Sequence, residues 1–170
     1  MQAAMCWTVA FCVLSIAFFN VEGQFLPSEE IIEQFQQVSC TDLCPLYWYP
    51  HNGNCYRFFG VAMSWHEAEA LCNMYGGHIA SISSSEENTF VYHFISPFER
   101  AWIGLNDMYK EGTFVWSDGT DETFTNWAPN QPDNANIGEH CGEFYNNAAP
   151  GQWNDLPCNQ DRPFMCKLHM

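Results

Sequence analysis

Seven of the chain's nine cysteines lie between residues 40 and 166, and they constrain the fold more than any other feature. They are Cys40, Cys44, Cys55, Cys72, Cys141, Cys158 and Cys166. In an exported protein that density reads as a disulfide framework. Export is what the N-terminus predicts. Residues 1–23 carry no charged side chain before Glu22, and Val21-Glu22-Gly23 offers small residues at the −3 and −1 positions of a cleavage site. A cut after Gly23 removes Cys6 and Cys12 as part of a signal peptide. The segment lacks a basic n-region, and its apolar run is nearly long enough to span a bilayer. A retained anchor, however, would carry a basic cytoplasmic flank, and none is present. The expectation is a secreted, extracellular protein with no stable membrane insertion. Seven cysteines cannot all pair within one chain, so one is free or bonds to another chain. Zinc held by Cys40, Cys44 and histidines is the weaker reading, because thiols in an oxidising compartment pair.

The remaining length fits one domain with a single hydrophobic core. Hydrophobic residues make up 47% and aromatics 16%, which excludes a disordered chain. Five basic residues against 20 acidic ones give a net charge of −15. Such a surface repels nucleic acid and anionic lipid, both of which are held through Lys and Arg. It suits a cation or a neutral polar ligand.

Residues 24–43 form a short lead segment. Pro27-Ser28 can start a helix that places Ile31, Phe35 and Val38 on one face. Two heptads are too few for a coiled coil on their own. A crosslink at Cys40 would hold two such helices together, and an arm packed on its own domain is the alternative. Ser64-Trp65-His66-Glu67 is a capping box. The helical stripe Ala68, Leu71, Cys72, Tyr75 follows it, and Gly76-Gly77 stops the run. Ser84-Ser85-Glu86-Glu87 repeats the box ahead of Phe90, Val91, Phe94 and Ile95, and Pro97 closes that helix. Residues 78–82, 102–105, 113–116 and 164–168 read as strands, and Asp118-Gly119 as a turn. Residues 117–152 are long, polar and rich in Asn, Gly, Pro and Asp, and a loop of that length inside a small domain is usually functional.

The loop and its surroundings contain Gln131-Pro132-Asp133, Glu139 and Trp153-Asn154-Asp155. Their five polar members present two amide and three carboxylate side chains. Calcium takes six to eight hard oxygens and gains nothing from nitrogen or sulfur. Five side chains, a backbone carbonyl and two outside hydroxyls complete such a shell. A cis Gln131–Pro132 bond would let residues 131 and 133 turn toward one point, and only proline makes cis accessible.

With these motifs in this order, residues 44–168 resemble the C-type lectin-like family. The resemblance rests on Cys44-Pro45 with Cys55-Tyr56, Trp102-Ile103-Gly104-Leu105, Gln131-Pro132-Asp133, Trp153-Asn154-Asp155 and Phe164-Met165-Cys166. It implies an α+β fold with two helices, small antiparallel sheets and a long calcium-binding loop region. It also implies three intradomain disulfides, Cys44–Cys55, Cys72–Cys166 and Cys141–Cys158, with Cys40 left over for an interchain disulfide in a homodimer. Gln131, Asp133, Glu139, Asn154 and Asp155 would then ligate Ca2+ and hydrogen-bond two vicinal sugar hydroxyls. Each hydroxyl meets a carboxylate acceptor and an amide donor. The order Gln-Pro-Asp resembles galactose-type members, which bind glycans with terminal galactose-type sugars, rather than the Glu-Pro-Asn of mannose-type ones. One position departs from that pattern. Strong galactose binders place a stacking Trp two residues after the Asp, where this chain has Ala135. Phe144, Tyr145 or Trp153 are the other possible platforms, although Trp153 is better suited to packing beneath the site. A second calcium site in some members matches Asp107, Glu111 and Glu139, with Asn134 and His140 at two further positions that are usually acidic.

Catalysis is not expected. The chain has no Gly-x-Ser-x-Gly elbow, His-Glu-x-x-His pair or phosphate-binding glycine loop. Glu86-Glu87 sits in a helix's first turn, where carboxylates complement the dipole, and His66 and His93 read as surface residues. The alternative to a sugar-binding lectin is an interaction protein on the same fold: an ice-binding antifreeze, a mineral-matrix protein or a receptor modulator.

Overall fold

The computed structural model describes residues 44–95, 100–135, 138–145 and 149–170. The leader, the lead segment with Cys40, and Pro97 lie outside the described residues.

Local chemistry places the two helices where the capping signals put them. Helix α1 spans Trp65–Met74. Ser64 Oγ accepts from the Glu67 amide, and the Glu67 carboxylate accepts in return from the Ser64 amide at 3.0 Å. At its C-terminus the amides of Gly76 and Gly77 bond back to the carbonyls of Asn73 and Cys72, with Gly76 at φ 86°. A Cβ on Gly77 would lie 2.2 Å from the Lys167 carbonyl oxygen, so the helix end can approach the sheet only through glycine. Helix α2 spans Ser85–Ile95. Its cap differs from a reciprocal box. The Glu87 amide donates to Ser84 Oγ at 3.2 Å, but the Glu87 carboxylate accepts from the Ser83 amide at 2.8 Å.

Eight strands form one connected sheet. They are β1 (Tyr49–His51), β2 (Asn54–Met63), β3 (His78–Ile79), β4 (Ala101–Asn106), β5 (Val115–Trp116), β6 (Cys141–Phe144), β7 (Trp153–Leu156) and β8 (Arg162–His169). The path runs β1-β2-β8-β4-β6-β7, with β3 on β8 and β5 on β4. All pairings are antiparallel except β4 with β8, which are parallel at Trp102 and Phe164. The expected small antiparallel sheets are thus one mixed sheet. Residues 80–82 leave the ladder that 78–79 begin.

Strands β4 and β8 are buried on both faces, and their alternation feeds two core clusters. Ile103, Leu105 and Met165 pack with Trp116, Phe144 and Trp153 in one cluster. Trp102, Phe164 and Cys166 pack with Trp65, Cys72 and Ile79 in the other. The three disulfides are Cys44–Cys55, Cys72–Cys166 and Cys141–Cys158, as the resemblance implies. The second joins α1 to β8, and the third holds the segment after β7 against the start of β6.

The first-turn carboxylate Glu87 does not face solvent. It is 4% exposed and sits 2.6 Å from Nζ of Lys167, itself 4% exposed. Lys167 also donates to Ser81 Oγ at 3.1 Å and to the Ser81 carbonyl at 3.2 Å, and Tyr56 donates its hydroxyl to Glu87. Burial pushes the Glu87 carboxyl upward. The hydrogen bonds from Lys167, Tyr56 and Ser83 outweigh that effect and hold it below its ordinary range. Burial and the Glu87 contact push the Tyr56 phenol well above its own range. His66 and His93 are exposed, as expected.

Candidate metal centre

The loop before β6 is tied to the sheet through β7. The Ala128 amide donates to the Trp153 carbonyl, and the Trp153 amide donates to Asn126, both at 2.9 Å. The Trp153 indole, fully buried, donates to Asn88 Oδ1 at 2.8 Å. Next along β7 come Asn154 and Asp155, paired across the hairpin with Glu143 and Gly142. The two Asp155 carboxylate oxygens accept the amides of Asp133 and Asn134 at 3.1 and 2.8 Å, which pins the Gln131-Pro132-Asp133 segment over the strand. The Gln131–Pro132 bond is cis. Asn134, at φ 44°, accepts the amides of Gly138 and Glu139 on its Oδ1 at 2.7 and 3.0 Å. The Ala135 amide bonds to Glu139 Oε2 at 2.9 Å and Asp133 Oδ1 at 3.2 Å.

This wiring brings one oxygen each from Asp133, Glu139 and Asp155 within 4.8 Å of one another. Asp133 is exposed, whereas Glu139 and Asp155 are buried. Gln131 Oε1 is buried with no hydrogen-bond partner among the described residues. A buried carbonyl oxygen without a donor is unfavourable unless something electropositive meets it. The three converging carboxylates form an all-oxygen donor set, which suits a hard divalent cation such as calcium, and the orphaned amide oxygen belongs to Gln131, two residues before Asp133. Asn154 is buried, and its Nδ2 is already engaged: it donates to Glu143 Oε1 at 3.2 Å and to the Asp155 carbonyl.

The second set does not assemble in the same way. Asp107 and Glu111 meet at His140, whose Nδ1 lies 2.9 Å from Asp107 Oδ1 and 3.5 Å from Glu111 Oε2. The other Asp107 oxygen accepts the Gly112 amide at 2.7 Å, and the Asn134 oxygen is engaged by the amides of Gly138 and Glu139. An imidazole nitrogen at the centre is a poor match for calcium. Among the three proposed stacking platforms, Phe144 and Trp153 are fully buried and present no face to a ligand. Tyr145 is half-buried beneath the Arg100 guanidinium.

Sequence reasoning missed the group around Glu143. This carboxylate is fully buried and accepts from Arg100 and from Arg162 Nε, the latter at 2.8 Å. Residues 141–144 had read as part of a polar loop. Recognising them as a strand opposite 153–156 is the signal that would have placed Glu143 beside Asn154.

Comparison with known proteins agrees with this architecture. Residues 61–168 match the family model described as the lectin C-type domain. Echinoidin from Heliocidaris crassispina is 37% identical over 142 residues, covering 74% of this chain and 96% of that protein. An alpha-N-acetylgalactosamine-specific lectin from Patiria pectinifera is 39% identical over 146 residues, covering 78% and 86%. Among solved structures, a calcium-independent type II antifreeze protein superposes with a TM-score of 0.70 at 31% identity, covering 75% of this chain and 95% of that one. With the family model matching well over half its length, and with these relatives, the chain belongs to the lectin C-type domain family.

Proposed function

We propose that this chain is a secreted, calcium-dependent lectin for glycans with terminal galactose-type sugars, and that it acts by binding rather than catalysis. The observation that carries the reading is the convergence of Asp133, Glu139 and Asp155 within 4.8 Å on the loop with the cis Gln131–Pro132 bond. A bound calcium ion would supply a positive charge to which two neighbouring sugar hydroxyls coordinate. The chain's own residues set the selectivity. Carboxylates accept the hydroxyl protons, and the Gln131 amide is one donor to the hydroxyl oxygens. The acid at 133 and the amide at 131 fix which hydroxyl geometry finds donor and acceptor in the right places. The relative named for N-acetylgalactosamine supports the same sugar class. Ala135 provides no ring to stack on a sugar face, so the single-site affinity is expected to be modest.

Retention of the secreted protein on galactose and mannose resins tests this directly. The expected result is galactose retention in calcium that is lost on chelation. Retention on mannose would overturn the sugar class, and no retention on either would overturn sugar binding. The antifreeze neighbour supplies the competing reading, an ice-binding protein on the same fold. Thermal hysteresis without sugar retention would favour it.

Cleavage after Gly23 leaves Cys40 ahead of the disulfide-bonded domain, and we propose that it links two chains. Two tethered sites on a surface gain on the order of 10²–10⁴-fold in avidity. The Cys40→Ser variant is expected to lose the dimer band on a non-reducing gel and most agglutinating activity, with hapten affinity at each site unchanged. An unchanged dimer band would refute the linkage.

A further inference from the structure

We infer that Glu143 is a positioning residue that makes Asn154 an oxygen ligand. It clamps the Asn154 amide nitrogen from inside the sheet, leaving Oδ1 as the atom available to a cation. The inference rests on the calcium reading above and adds a buried residue outside the expected ligand set.

Both atoms that Asn154 Nδ2 touches, Glu143 Oε1 and the Asp155 carbonyl oxygen, can only accept hydrogen bonds. Turning the amide over would place oxygen against two oxygens. The partners therefore decide the orientation of a side chain whose two ends are otherwise nearly alike. Both amide hydrogens are used, and among the described residues Oδ1 is left without a donor. Glu143 is itself immobile. It is fully buried, lies directly across the β6–β7 ladder from Asn154, and is gripped on its two oxygens by Arg100 and Arg162. In a chain with five basic residues, two are committed to this one carboxylate, which fixes its position where it touches Asn154.

The test uses Glu143→Met/Arg162→Met in the full-length secreted protein. The double change removes one charge of each sign, fills the space with apolar volume and leaves Asn154 without its side-chain acceptor. Buried ion pairs replaced this way commonly retain the fold. Calcium affinity by titration calorimetry is expected to fall about 10–100-fold, the usual cost of removing a group that orients a metal ligand. In the calcium-free protein, the Asn154 side-chain amide resonances are expected to shift and broaden. A merely structural role would lower the unfolding temperature and leave calcium affinity unchanged. Wild-type calcium affinity in the folded variant would overturn the inference while the calcium reading stands. A wild type that takes up no calcium would overturn the reading and the inference with it. Should the double variant not fold, Glu143→Gln gives the same two readouts with the smaller volume change.

Discussion

Replacing Lys167 with methionine is expected to destabilise the domain by about 3–5 kcal/mol, the usual cost of removing one partner from a buried ion pair. Methionine can fill the space of the lysine stem, so the loss is one of charge and hydrogen bonds rather than of packing. It leaves Glu87 buried without its cation and takes a donor from the Ser81 carbonyl and hydroxyl. The expected fall in Tm is about 10–20 °C for a domain of this size, read by thermal and urea unfolding. The pH response supplies a second readout. In the wild type Glu87 is held below its ordinary value of 4.5. Its contribution is therefore fully present above that value and is lost as pH falls through the lowered folded-state pKa. In the variant burial acts without Lys167 and the folded-state pKa rises relative to the wild type, so protonation relieves part of the penalty. The gap in stability between variant and wild type should then narrow from pH 7 toward pH 4. Lys167→Met/Glu87→Met should recover most of the loss. A single variant within about 1 kcal/mol of wild type would show that the pair contributes no more than a surface bridge.

Asp155→Asn is expected to abolish the calcium site, with affinity falling about 100-fold or more, because ligand charge sets affinity for this ion. The side chain has two tasks. It offers an oxygen to the cluster of Asp133, Glu139 and Asp155, and its two oxygens hold the amides of Asp133 and Asn134. An asparagine there turns an NH2 group toward one of those amides, donor against donor, so the loop loosens as the charge is lost. Calorimetry should show no heat of calcium binding at concentrations that saturate the wild type, and resin retention should vanish with it. Unfolding in chelator should change by only about 1–3 kcal/mol, the worth of hydrogen bonds to a charged acceptor. Unchanged calcium affinity would move the ion away from this loop, with Asp107, Glu111 and His140 as the next cluster to test.

Features that depend on a few neighbouring residues were legible in the sequence. The capping box at Ser64 and Glu67, the Gly76-Gly77 stop and the Gln131–Pro132 turn all appear in the structure where their local chemistry puts them. Such signals work because the interacting groups lie within five residues of each other, so a short stretch of sequence contains both partners. The family motifs added the disulfide pairing and the set of oxygen ligands, of which the structure brings three carboxylates to one point.

What remained hidden involves partners far apart in the chain. Glu86 and Glu87 are alike as first-turn carboxylates, yet Glu86 is exposed and Glu87 is buried against a lysine 80 residues away. Glu143 lies in a short Gly-Glu stretch with weak strand propensity and became a strand residue only through pairing with β7. Its partner Arg100 is 43 residues away. By itself the sequence determined which atoms could bind: the hard oxygens of the loop, the thiols that pair, and the caps that start and stop the helices. The tertiary structure alone decided which of those atoms are buried, which carboxylates are neutralised, and which end of Asn154 is turned outward. Those outcomes depend on desolvation and on long-range partners, and neither is set until the sheet has closed.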